Sequence, residues 1–201
     1  MNMNENQIMD WLKLNKPDVY YLALSSTNLV KNGNVRDLGK LYAEANEYIQ
    51  IDWINENTNI QVIKRDEFDN SVTADGWDII TSDGLLKIQS KLRFGGLHIE
   101  QTRRNTTNNT LNNRANSGYI RYAIGEADVY LFSKPKSLEQ YTDIKNWDII
   151  AIPEQELIDS KCPGFLYKSV PKKIWTKWIG KAKDVLEQTY NLKQNANNRE
   201  L

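Results

Sequence analysis

Apolar residues recur along this chain at two different periods, and the change of period outlines the elements. Between 36 and 53, Leu38, Leu41, Tyr42, Ala45, Ile49 and Trp53 fall at helical spacing and predict one amphipathic helix. Residues 5–14 and 17–30 also read as helices, parted at Lys16-Pro17, where Pro17 suits a first helical position. Lys31-Asn32-Gly33-Asn34 reads as a turn. The period then shortens. Ile60-Gln61-Val62-Ile63 reads as a strand, and 77–93 reads as two strands folded about Ser82-Asp83-Gly84. Side chains alternate along a strand, so Gln89 and Lys91 share one side while Leu86, Ile88 and Leu92 share the other.

Further strands are predicted at 97–103, 128–133 and 147–152, with Pro153 ending the last and a short helix at 154–159. A final helix over 171–190 is expected to bury Ile174, Trp175, Trp178, Ile179, Ala182, Val185, Leu186 and Tyr190, followed by a frayed polar tail over 195–201. Helix, strands, long loop, strands, helix is the order of an α/β fold, a central mixed β-sheet flanked by helices. The expected organisation is a single domain over 1–201: a helical N-terminal extension at 1–34, a core at 36–160 and the C-terminal helix at 171–190.

Composition narrows the chemistry. Among 201 residues, 40% are apolar and six are tryptophan, enough for a buried core. No apolar run reaches bilayer length, and the first residues lack the basic-then-apolar pattern of a secretory signal, so a cytoplasmic protein without a membrane partner is expected. Cys162 stands alone and forms no intrachain disulfide. His98 also stands alone, which excludes paired-histidine nucleases and His₂ or His₃ zinc sites. Hydrolysis here has to run on carboxylates, lysine and an oxygen-loving metal.

The formal charge is zero, yet its distribution is uneven. From Lys87 to Arg121 seven basic residues face only Glu100, while acid gathers in 44–83 and 126–160. A basic middle suits a phosphate backbone. Arg93, Arg103, Arg104, Arg114 and Arg121 are candidate contacts to double-stranded DNA. The asparagines of 104–118 can pair with adenine edges, which adds Asn105, Asn108, Asn109, Asn112, Asn113 and Asn116.

Folding 77–93 at Gly84 brings Asp78 near Gln89 and Lys91. An acid inside an apolar strand needs a partner, which favours Asp78 over Asp75, and over Asp83, whose place is ordinary turn chemistry. Asp78, the amide oxygen of Gln89 and the ammonium of Lys91 can hold Mg²⁺ and activate water beside a phosphate. This Asp…Gln-x-Lys pattern resembles the active site of the PD-(D/E)xK nuclease superfamily, in element order over roughly 37–152. Trp77 stands where the name-giving proline would be. Gln89 replaces the usual acid, an accepted variant in Mrr-like nucleases.

The resemblance implies a restriction-endonuclease-like core over 36–160, with Asp78, Gln89 and the main-chain carbonyl of Ser90 on Mg²⁺. It implies Lys91 as the residue that orients or deprotonates the attacking water. It also implies an acid from the preceding helix. Glu44, at the margin of the apolar face, is preferred to Glu47, which the wheel places opposite it. The function implied is a Type II site-specific endodeoxyribonuclease. Such an enzyme reads a palindrome as a homodimer and accompanies a cognate DNA methyltransferase. The alternatives are an Mrr-like, repair or junction-resolving nuclease, or an inactive DNA-binding protein with a nuclease-like fold.

Overall fold

A computed structural model describes residues 10, 12–27, 30–31, 34–35, 38–69, 76–93, 97, 102–104, 119–121, 126–135, 147–159 and 170–200. In chain order its elements begin with helix α1 (Pro17–Thr27), strands β1 (Val30–Lys31) and β2 (Asn34–Val35), and helix α2 (Leu38–Asn57). Strand β3 (Val62–Lys64), the single turn α3 (Arg65–Phe68), and strands β4 (Ile79–Thr81) and β5 (Lys87–Leu92) follow. Next come β6 (Thr102–Arg104), β7 (Tyr119–Arg121), β8 (Val129–Pro135) and β9 (Trp147–Pro153). The chain ends in helices α4 (Glu154–Asp159), α5 (Lys172–Trp175) and α6 (Ala182–Glu200).

Strands β3-β4-β5-β8-β9 form one mixed sheet in that order. The three strands β3, β4 and β5 run as an antiparallel meander, β8 lies parallel to β5, and β9 returns antiparallel to β8. A parallel neighbour requires a crossover; residues 93–128 supply it and carry β6 and β7, which among the described residues form a separate two-stranded sheet. The fold is therefore α/β, with a five-stranded mixed sheet flanked by helices. No helix among the described residues is long and apolar enough to cross a membrane.

Both faces of the sheet are covered. On one, Ile79, Ile88, Val129, Leu131, Ile149 and Ala151 pack with Ala45, Ile49 and Ile54 of α2 and with Ala182, Val185 and Leu186 of α6. Leu12, Val19 and Ala23 of the helical N-terminal segment join that cluster. On the other face, Ile80, Tyr130, Phe132, Ile150 and Ile152 meet Trp77, Leu97, Leu157, Val170 and Ile174. Burial on both sides explains why β8 and β9 read as nearly continuous apolar runs instead of alternating ones.

The structure corrects several expectations. The helix expected over 17–30 stops at Thr27, and Val30 already pairs with Val35 in a small hairpin. Of the strand expected over 97–103, Leu97 is not in a strand, residues 98–101 lie outside the described residues, and Thr102–Arg104 joins a ribbon with β7 instead of the main sheet. The single helix expected over 171–190 is broken: Ile179 is extended and Gly180 takes φ 75°, a left-handed conformation that glycine adopts without a Cβ penalty. Ile179 is consequently exposed rather than buried. The tail expected to fray is helical to Glu200, since extending a helix already nucleated on the core costs little per residue.

Candidate functional site

The β4–β5 hairpin is set by its alternation and its turn. Ile79 pairs with Ile88 and Ile80 with Lys87, which puts Asp78, one residue before β4, opposite Gln89. Gly84 closes the turn at φ 81°, with the Phe68 ring directly beneath it. The Asp78 N–H donates to the Ile88 carbonyl at 2.9 Å, and the Asp78 carbonyl accepts from the Arg65 N–H at 2.9 Å. Asp78 is thus fixed by main-chain bonds to both neighbouring strands before its side chain is considered.

Its carboxylate gathers the predicted partners. Oδ2 accepts hydrogen bonds from the Gln89 side-chain amide and from the Ser90 N–H at 2.9 Å. Gln89 Nε2 also lies 3.5 Å from the Ser90 carbonyl oxygen. Two oxygens, the Asp78 carboxylate and the Ser90 carbonyl, therefore converge on a point where an N–H donor now sits. Gln89 is only 3% exposed, so that point is shielded from bulk water. Lys91 follows two residues along β5, in register with Phe132, partly buried and on the Gln89 side of the strand.

Helix α2 brings a second group of charges. The Lys64 ammonium bonds Glu44 Oε2 and approaches Glu47 Oε2 at 3.3 Å, with the Lys64 side chain only 6% exposed. Burial pulls the Lys64 pKa down, but Glu47 and Glu44 outweigh it and hold the ammonium above its ordinary range. Burial pushes the Glu47 carboxyl well up, and the charges of Asp78 and Glu44 push it further against the opposing pull of Lys64. The placement of Glu47 on the far face of α2 is thereby corrected: it turns inward, faces Lys64 and feels Asp78. Glu44 also faces Lys64.

The wheel was drawn from the apolar positions alone, and the inward face of α2 also includes two amides. Asn46 and Gln50 are both buried. Asn46 Nδ2 donates to Ser90 Oγ at 2.8 Å, and Gln50 Nε2 donates to Ser133 Oγ at 2.9 Å and to the Leu131 carbonyl at 3.1 Å. The buried stripe accordingly runs through Ala45, Asn46, Ile49, Gln50 and Ile54, which rotates Glu47 toward the sheet. Asn46 and Gln50 lie one helical turn apart, and a lysine follows an apolar strand at Lys64. Those were the available signals.

Asp83 proves to be more than a turn residue. Oδ1 accepts from Thr81 Oγ1 at 2.6 Å and from the Leu85 N–H at 3.1 Å, while Oδ2 accepts from the Tyr190 hydroxyl at 2.6 Å. Slight burial raises its pKa, but these donors outweigh it and hold the carboxyl below its ordinary range. At the start of β5, just after this turn, Asp128 Oδ2 accepts from the Lys87 N–H at 2.9 Å and Oδ1 pairs with Lys193 at 2.6 Å, pinning the start of β8.

Of the predicted DNA contacts, Arg93 follows β5, its N–H bonded to the Ser133 carbonyl at 3.0 Å and its Nη1 to the Leu92 carbonyl at 2.7 Å. Arg103, Arg104 and Arg121 lie on the β6–β7 ladder, where Arg103 is in register with Ile120 and Arg121 with Thr102. Asn105, Asn108, Asn109, Asn112, Asn113, Arg114 and Asn116 lie outside the described residues.

A hard cation at this point would find two oxygens and one amide that has to turn. A carboxylate and a carbonyl converge, and turning the Gln89 amide by half a rotation would present Oε1 in place of Nε2. Among the described residues no three His, Cys, Asp or Glu side chains gather closely enough to hold a metal by themselves. Any ion at this point relies on amide and main-chain oxygens beside Asp78. No known protein-family model matches the chain, and no curated protein matches it significantly.

Proposed function

We propose that this chain is a Mg²⁺-dependent endonuclease that hydrolyses phosphodiester bonds in double-stranded DNA, of the Type II restriction kind. The observation that carries the reading is the convergence of Asp78 Oδ2 and the Ser90 carbonyl on the Gln89 amide. Asp78, Ser90 and the rotated Gln89 amide would hold the metal. When bound, Mg²⁺ supplies charge stabilisation at a phosphoryl oxygen and an acidified water.

The chain's own residues do the rest. Lys91, on the Gln89 side of β5, orients the water and offsets charge on the phosphate. The side chains of Trp77 and Ile80 are buried beside Asp78 and keep the surroundings of low polarity, which strengthens each charge interaction. Arg103, Arg104 and Arg121 on the β6–β7 ribbon would grip the DNA backbone. The restriction reading rests on the likeness of Asp78…Gln89-x-Lys91 to the PD-(D/E)xK pattern. It brings with it a homodimer on a palindromic site and a cognate methyltransferase.

The test is digestion of varied DNA with Mg²⁺, with and without a chelator, followed by run-off sequencing of the ends. Chelator-sensitive cutting at one defined sequence supports the proposal. Cutting directed by DNA structure or modification would move the chain to the Mrr-like, repair or junction-resolving readings. Intact DNA at every Mg²⁺ and Mn²⁺ concentration would end the nuclease reading.

One observation favours a second reading, an inactive DNA-binding protein: Gln89 offers Asp78 an N–H rather than an oxygen. Gln89→Glu separates the two. Under the nuclease reading it keeps or raises cutting; under the inactive reading DNA is bound and never cut by either sequence.

A further inference from the structure

Five lysines and no acid fall between Val170 and Asp184. Like charges this dense along a chain repel one another unless something of opposite sign lies against them. Lys172, Lys173, Lys177, Lys181 and Lys183 are exposed on α5, on the turn after it and at the start of α6, while Ile174 among them is buried. Acids meet the cluster at its edge: Glu156 pairs with Lys177 at 2.6 Å, and Glu187 lies 3.9 Å from Lys183. Among the described residues no acid pairs with Lys172 or Lys173. Three ammonium groups rest on aromatic rings. Lys177 and Lys181 lie 5.3 and 5.9 Å from the centre of the Trp178 ring, and Lys134 of β8 lies 5.9 Å from that of Trp175. A ring face holds a lysine in place without neutralising it. Less side-chain freedom is then lost when an anion arrives.

Strand register says which face the cluster covers. Gln89 pairs with Tyr130 and Lys91 with Phe132, so these four side chains share one face of the sheet. Ile174, Trp175 and Trp178 pack on the cluster that Tyr130 and Phe132 build on that face. The lysines therefore stand on the layer covering the sheet face that carries Gln89 and Lys91.

We infer that Lys134, Lys172, Lys173, Lys177 and Lys181 form a contact surface for the phosphate backbone of duplex DNA. This rests on the DNA-cleaving reading given above and adds a second contact region to the β6–β7 arginines. Charge complementarity selects the partner. Trp175 and Trp178 are turned onto the core, so the surface offers charge with little apolar area beside it. A phosphate backbone is held by charge alone, whereas firm seating on an anionic bilayer also buries apolar surface.

The experiment follows the fluorescence anisotropy of a labelled random-sequence duplex as the full-length chain is added, over a salt series and with a chelator present so that no strand is cut. Lys172→Gln with Lys173→Gln should weaken binding and lower the slope of log affinity against log salt by about one for each lysine. Both lysines are exposed, so the fold is kept. Lys172→Arg with Lys173→Arg should restore wild-type binding. Lys13→Gln with Lys16→Gln removes the same charge beside Leu12, which packs on the other sheet face, and should leave the slope unchanged. A wild-type slope in the Lys172→Gln, Lys173→Gln chain, or an equal fall in the Lys13→Gln, Lys16→Gln chain, would overturn the inference and leave the nuclease reading intact. A wild-type chain that ignores the duplex, whether or not it binds phosphatidylserine vesicles, would remove both.

Discussion

Asp78 and Asp83 sit at opposite ends of one short hairpin and are held in opposite ways. Asp83 is exposed and saturated, with donors from Thr81, Leu85 and Tyr190. Its ionised form is stabilised by neutral hydrogen-bond donors, and it fastens the turn to α6. Asp78 is partly buried and takes its donors from Gln89 and Ser90, while its charge pushes up the pKa of Glu47. One carboxylate has all the stabilisation its charge needs. The other takes two donors from β5 and reaches by its charge a buried acid on a different element, Glu47 of α2.

The largest effect that can break this contrast is on activity. Asp78→Ala is expected to reduce DNA cleavage by about 10³-fold or more while DNA binding survives, whereas Asp83→Ala should leave the cleavage rate near wild type. Equal losses from both changes would erase the distinction. Next comes Lys64→Met, which strands two buried carboxylates and should cost about 3–5 kcal/mol in urea unfolding. Tyr190→Phe removes one hydrogen bond to the exposed Asp83 and should cost only about 1 kcal/mol by the same measurement.

The smallest effect is in pH dependence, and its two signs are opposite. Asp83 is held below its ordinary pKa, so its stabilisation is complete above about pH 4 and is lost as the pH falls through its folded value. Glu47 is held above its ordinary pKa, so its burial is destabilising at neutral pH and is relieved as the pH falls through its folded value. Asp83→Asn should flatten the acid limb of a stability-versus-pH curve, and Glu47→Gln should raise stability at pH 7 and flatten the limb above about pH 5. A Glu47→Gln chain less stable than wild type at pH 7 would mean that Lys64 needs both acids.

How far the sequence could be read depended on whether local signals were enough. The hairpin was legible because strand alternation and the Ser82-Asp83-Gly84 turn are local, and together they put Asp78 opposite Gln89. The positions of β8, β9 and α4 were legible for the same reason. Glu47 was misplaced because the orientation of α2 depends on partners distant in sequence, Ser90 and Ser133, that draw Asn46 and Gln50 inward. Lys64 was read as neither core nor site because its two acids come from another element. The break at Gly180 was missed because the apolar spacing continues across it, and only the left-handed backbone reveals that the phase does not.

Oily surfaces slide, since apolar attraction hardly distinguishes one seating of a helix from the next along a strand. Asn46 and Gln50 remove that freedom: each amide finds its hydroxyl at a single height above β5 and β8. Glu47, riding between them on the same helix, inherits that height. A slip of one turn would break both amide contacts and carry the acid a full pitch, about 5.4 Å, from its lysine.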